Sequence, residues 1–238
     1  MERHFDEELH ELNNLLMNMS SLAEKAIQNA VKALSERNGD LAEETIRSDD
    51  AVDMLEVQID EMCIRLLALY QPVATDLRFI TSALEINKDL ERIGDQAVNI
   101  AERTQEIIKL PIIKPLIDIP RLAELSQLMV KDSITSLVNK DEALAIDVCK
   151  RDDEVDKINE QIFRELLTYM MEDTKVITRA VELILVGRHL ERIADHATNI
   201  AECVIYLLKG EWIKHHMGKA AFQQKKDKVA DKKYTGNM

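Results

Sequence analysis

The chain has 238 residues, 32% of them charged and only 4% aromatic, with 6 Gly, 4 Pro and a net charge of −13. That mixture suits long amphipathic helices and suits a β-sandwich poorly, and the acidity disfavours nucleic acid as a general partner. The charge is uneven: residues 213–238 hold seven Lys and two Asp, which leaves the rest of the chain at −18, a body that favours cations or the basic surface of another protein.

Apolar residues recurring every three or four positions predict helices over 6–37, 40–69, 73–109, 120–138, 141–171 and 174–208. Between the first two, Asn38-Gly39-Asp40 reads as a turn, with Asp40 and Glu43 spaced as a capping box. Leu55, Ile59, Met62, Leu66 and Leu69 form the apolar seam of the second helix, and Gln71-Pro72 ends it. Leu90, Ile93, Ala97 and Ile100 form the seam of the third. Residues 110–120 contain three prolines and predict a linker. Asn139 with Glu142 predicts a cap, and Glu172-Asp173-Thr174 a final turn. Beyond 213 the polar, Lys-rich tail predicts a mobile segment.

The longest stretch free of Asp, Glu, Lys and Arg, Leu12–Ala23, is twelve residues, short of the about 20 a membrane span needs. Met1–Asp6 lacks the basic and apolar regions of a signal peptide. Cys63, Cys149 and Cys203 lie within apolar helical patterns and predict buried free thiols in a reducing, cytoplasmic setting.

The chain repeats itself. Leu90–Glu102 returns as Leu190–Glu202, an offset of 100, with ten of thirteen residues identical, and Asp49–Asp53 returns at an offset of 103 as Asp152–Asp156. The fold class is therefore all-α, two tandem three-helix bundles, with divisions at 1–110, 111–212 and a tail at 213–238.

Both copies carry stripes of carboxylates. Glu91, Asp95 and Asn99 stand at i, i+4 and i+8 on one face of the third helix, and Asp49, Asp53, Glu56 and Asp60 line the second. Asp53 precedes the Gln71-Pro72 turn by 18 residues and Glu91 follows position 71 by 20. At about 1.5 Å per residue, both stand roughly 30 Å from the turn. Asp152, Asp156, Glu191 and Asp195 repeat the arrangement. Carboxylates gathered this way repel one another, and a hard cation relieves the repulsion. Oxygen-only ligands suit Mg²⁺, Ca²⁺ and Mn²⁺, and take iron or Zn²⁺ less selectively. Asn99 and Asn199 could each add a carbonyl oxygen. The competing reading is a pair of solvated faces.

Other candidates are weaker. His189 and His196 have no imidazole counterpart in the first copy, where Asp89 and Gln96 stand. The Glu-x-x-His pair Glu7/His10 lies outside the stripes, against a ferritin-like di-iron centre. Arg92 and Arg192 are expected to bridge neighbouring acids. No nucleophile–base pairing, Gly-rich phosphate loop or Cys-x-x-Cys is present. A metal-dependent hydrolase or oxidase built on the carboxylates is the enzymatic alternative, and a plain helical scaffold the structural one.

At Asp49-x-x-x-Asp53, Gln71-Pro-Val-Ala-Thr-Asp-Leu-Arg78, Leu90-Glu-Arg-Ile-Gly-Asp95, Asp152-x-x-x-Asp156 and Leu190-Glu-Arg-Ile-Ala-Asp195 the chain resembles the PhoU family of phosphate-specific transport accessory proteins, over about residues 5–208. The resemblance implies two three-helix bundles side by side, often dimeric and without catalytic activity. It implies metal clusters of iron, zinc, magnesium or manganese, one per bundle. It further implies repression of the phosphate-starvation response and of phosphate uptake, through a PhoR-type sensor histidine kinase and the transporter's ATPase subunit. Carried over by position, the ligands are Asp49, Asp53, Glu91 and Asp95, then Asp152, Asp156, Glu191 and Asp195, with Asn99 and Asn199 as additions. Glu56 and Asp60 lack acidic counterparts, since Asn159 and Phe163 stand there, so the two clusters are expected to differ in metal number.

Overall fold

The computed structural model describes residues 2–210. They form helices α1 (Glu2–Glu36), α2 (Gly39–Arg47), α3 (Asp49–Tyr70), α4 (Ala74–Ile107), α5 (Asp118–Asn139), α6 (Glu142–Glu172) and α7 (Ile177–Lys209), with one 3₁₀ turn, Thr174–Val176. No strand occurs among the described residues. The Lys-rich tail predicted from 213 onward lies outside them.

The local chemistry of the turns explains the boundaries. Asn38, not Asp40, caps α2: its side chain accepts from the Leu41 amide at 3.1 Å. Asp141, not Asn139, caps α6 by accepting from the Leu144 amide at 3.0 Å. Arg37 and Lys140, 103 residues apart, both enter the left-handed region at φ 54° and 53°. At each, the next amide reaches back to close the preceding helix, Asn38 to Ala33 O at 2.8 Å and Asp141 to Ser136 O at 2.9 Å. The same turn thus stands at the same place in both copies. Asp173 caps the 3₁₀ turn through the Lys175 amide at 2.9 Å.

The copies differ in one helix. The single helix expected over 40–69 breaks at Ser48, whose hydroxyl donates to Thr45 O at 2.7 Å. At the equivalent position α6 carries Arg151, tied to Asp132 and Asp147, and runs unbroken.

The predicted seam of α4, Leu90, Ile93, Ala97 and Ile100, is completely buried, as are Ile59 and Leu66 of α3. Leu69 departs from the prediction at 66% exposed, one residue before the end of α3. α1 packs on α3 and α4, and α5 on α6 and α7, making two three-helix units joined through α4 against α7 and α1 against α5.

The α4–α7 seam is antiparallel and pseudo-symmetric. His189 Nδ1 donates to Gln96 Oε1 and His196 Nδ1 donates to Asp89 Oδ1, both at 2.9 Å. Given the offset of 100, these are the same pair of positions read in opposite directions. Gln127 Nε2 donates to Glu24 O at 3.3 Å where α5 meets α1, and these two residues are equivalent at an offset of 103. One pseudo-twofold axis therefore passes through both helix pairs. It exchanges α4 with α7, so the two carboxylate groups are counterparts under it.

Candidate metal-binding carboxylate groups

α3 lies along α4 with Val52, Ile59 and Leu66 inward, and this packing sets the acids. Gly94 has no side chain where α3 approaches: a Cβ there would stand 3.3 Å from Asp49 Oδ1 and from Val52 Cγ1. The missing Cβ lets the Asp49 carboxylate rest against α4. Burial, then the charges of Asp53, Asp95 and Asp50, push Asp49 up to about 6. Burial, then Asp95, Glu56 and Asp53, push Glu91 up to about 7, against the lowering effect of Arg92. Glu56 is raised by burial and by Asp60, Asp53 and Asp95. Acids from α3 and α4 thus sense one another as the matched spacing predicted.

Asn87, one turn before Glu91, completes this group. It is 0% exposed, and its Nδ2 donates to Glu56 O and to Asp60 Oδ1, both at 2.9 Å. Its Oδ1 is buried without a hydrogen-bond partner. A buried orphan carbonyl costs about 1–3 kcal/mol, and a cation is one of the few partners that could satisfy it among carboxylates.

The second group is built differently. Burial, then Asp195 and Asp156, raise Glu191 above its ordinary value, Arg188 lowers it, and Asp152 adds a smaller upward push. Asn159 Nδ2 donates to Glu191 Oε2 at 2.6 Å. Thr198 Oγ1 lies 3.5 Å from Asp152 Oδ1. Gly187 makes room: a Cβ there would stand 2.8 Å from Asn159 Oδ1. The asparagine has changed sides. In the first copy α4 supplies Asn87 opposite Glu56 of α3, and in the second α6 supplies Asn159 opposite Gly187 of α7. So the first group is richer in charge and holds an unpartnered carbonyl, whereas the second has an amide already bonded to one of its acids.

The two asparagines expected to add a carbonyl oxygen bond here through their amide nitrogens. Asn199 donates from Nδ2 to Asp89 Oδ1 at 3.2 Å, in the seam beside His196. Asn99 turns its Nδ2 back on its own helix, to Asp95 O at 2.8 Å. Arg92 and Arg192 form no ion pair within the described residues; Arg92 acts through space on Glu56 and Glu91, and Arg192 helps hold His189 neutral. Burial comes first in that effect, and His189 is lowered to about 4.

The donor set, all oxygen with one orphan carbonyl and a cradle opened by glycine, fits a hard cation in the first group. The acids are gathered without being closed: among the described residues no three His, Cys, Asp or Glu side chains are arranged to hold an ion. Asn87 and Asn159 escaped the sequence reading, though their exchange with Gly187 and Glu56 at the repeat offsets is visible there. The thiols Cys63 and Cys203 are buried and Cys149 is half-buried; all three are pushed up to about 12, mainly by burial.

The geometry has close relatives. The PhoU domain pattern matches residues 16–104 and again 119–204. A protein of Aquifex aeolicus named phosphate-specific transport system accessory protein PhoU homolog is 47% identical over 208 residues, 87% of this chain and 94% of its own. The protein of the same name from Xylella fastidiosa (strain Temecula1) is 41% identical over 87% of this chain and 86% of its own. The crystal structure of PhoU from Pseudomonas aeruginosa superposes with a TM-score of 0.84 at 39% identity, covering 87% of this chain and all of the other. The phosphate transport system regulatory protein PhoU from Streptococcus pneumoniae gives 0.81 at 30% identity, over 88% and 99%. With both repeats matched and the whole architecture shared, the chain belongs to the PhoU family.

Proposed function

We propose that this protein is a regulatory adaptor of phosphate homeostasis, restraining phosphate uptake and the starvation response through a phosphate ABC transporter and a PhoR-type sensor kinase. The relatives' names, phosphate-specific transport system accessory protein, support the assignment to that system. The observation that carries the mechanism is the duplicated, self-repelling carboxylate group on α3/α4 and α6/α7, with Glu91 pushed up to about 7 and Asn87 Oδ1 unpartnered.

On this reading Asp49, Asp53, Glu91 and Asp95, joined by Asn87, hold cations in the first group, and Asp152, Asp156, Glu191 and Asp195 in the second. Magnesium and manganese suit such donors, which take iron or zinc less selectively. The ions cancel the repulsion and fix the acidic side for docking. No turnover is assigned: the three thiols are pushed far above neutrality and His189 is held neutral against Gln96. A homodimer fits the exposed apolar side chains of α3, Met54 at 74% exposed, Val57 one turn on and Ile64 further along the helix. No described helix is long and apolar enough to cross a membrane, consistent with a place at the cytoplasmic side of the transporter.

The test is phosphate uptake in cells lacking the gene. Wild-type protein should restore restraint, and Glu91→Ala/Asp95→Ala/Glu191→Ala/Asp195→Ala, expressed to the same level, should not. Full restraint by the variant would remove the carboxylate groups from the mechanism.

A further inference from the structure

Where the Pro-rich linker crosses between the repeats, the ends of α1 and α4, the linker and the start of α7 enclose a cleft of about 210 Å³. Its apolar walls include Ile107, Ile113 and Leu183, and no acidic residue among the described residues lines it. Three cations do: Arg37, Lys114 and Arg179. Lys114 is only 8% exposed and is paired with Glu165. Among the described residues the two arginines are bonded to carbonyls alone. Arg37 Nη2 donates to Ile108 O and Leu110 O, each at 2.6 Å, and Arg179 Nη1 donates to Pro111 O at 2.8 Å, with Nη2 3.5 Å from Lys175 O.

Carbonyls satisfy hydrogen bonds but do not cancel charge. Among the described residues neither guanidinium group has a carboxylate partner, in a chain whose net charge is −13. The cation pair is not a by-product of duplication, because Phe79 stands at the position equivalent to Arg179 in the first repeat. Guanidinium forks suit carboxylate, sulfonate and phosphate oxygens. Apolar walls with a few placed polar groups are the general form of a small-molecule site.

We infer that this cleft binds a small amphiphilic anion, its charged head on Arg179 and Arg37 and its apolar body against Ile107, Ile113 and Leu183. A ligand there touches both repeats and the linker at once, so its binding is coupled to how the two units are held together.

The experiment titrates the full chain with anilinonaphthalene sulfonate, followed by fluorescence, and with octanoate, followed by isoleucine-methyl NMR. One saturable site is expected, with the Ile107 and Ile113 methyls shifting first. Arg179→Gln, which removes the charge and keeps an amide donor, should weaken both ligands at least tenfold without moving the melting temperature. Ile113→Trp, which fills the cleft and leaves the charges, should do the same and stands in if Arg179→Gln does not fold. Non-saturable binding, unchanged affinity in the variants, or shifts centred elsewhere would overturn the inference. So would inorganic phosphate displacing the dye as well as octanoate does, since that marks a bare anion site.

Discussion

Replacing Glu91 by Gln should stabilise the metal-free protein, although it alters a residue assigned to the functional site. Glu91 is pushed from 4.5 to about 7 by burial and by Asp95, Glu56 and Asp53, and unlike Glu191 it has no amide donor bonded to it. At pH 8 the folded chain therefore carries an ionised carboxylate that the unfolded chain holds more comfortably. At about 1.4 kcal/mol per pKa unit, the displacement corresponds to about 3 kcal/mol before screening. The side chain is partly exposed, so we discount this to about 1 kcal/mol. The sign follows from linkage: an acid whose folded pKa is raised favours the folded state below its unfolded value and loses that advantage as pH rises through the folded one. The gain from Glu91→Gln should thus be present at pH 8 and mostly gone at pH 5, inside the window from 4.5 to 7. Urea unfolding with chelator present, followed by circular dichroism at both pH values, reads this directly. Adding Mn²⁺ should reverse the order, because the wild type gains a bound ion that the variant holds poorly. A variant less stable than wild type at pH 8 with chelator, or an equal gain at both pH values, would refute the reasoning.

Asp89→Ala leaves the His196 and Asn199 donors without their shared acceptor across the α4–α7 seam; a loss of about 1–3 kcal/mol is expected in urea unfolding. Gly187→Ala drives a Cβ into Asn159 Oδ1 and breaks the Asn159–Glu191 bond, which should outweigh the helix-propensity gain and cost about 1 kcal/mol; Asn159→Ala should abolish most of that difference in a double-mutant cycle. Leu90→Ala opens a cavity in a fully buried seam and should cost about 2–5 kcal/mol, seen as a lower melting temperature.

Much of this architecture was legible because helical periodicity and the repeat report the same packing. Leu90, Ile93, Ala97 and Ile100 recur at the spacing of a buried stripe and are buried. The convergence of Asp53 with Glu91 followed from counting residues to a turn. What escaped was decided by contacts that cannot be counted. Whether Asn38 or Asp40 caps a helix depends on which side chain reaches a free amide, and both residue types cap well. Asn199 continues the Glu191, Asp195 spacing, yet it turns to Asp89 because the antiparallel crossing of α4 and α7 brings that carboxylate within reach. His189 and His196 looked unmatched for the same reason: their partners lie on the other repeat.

The central claim is that the duplicated carboxylate groups hold cations, and elemental analysis tests it most directly. Purified wild-type protein should carry stoichiometric metal, and Glu91→Ala/Asp95→Ala/Glu191→Ala/Asp195→Ala should carry almost none. Absence of metal from the wild type, even after incubation with Mn²⁺, Zn²⁺ and iron, or equal metal in both proteins, would contradict it.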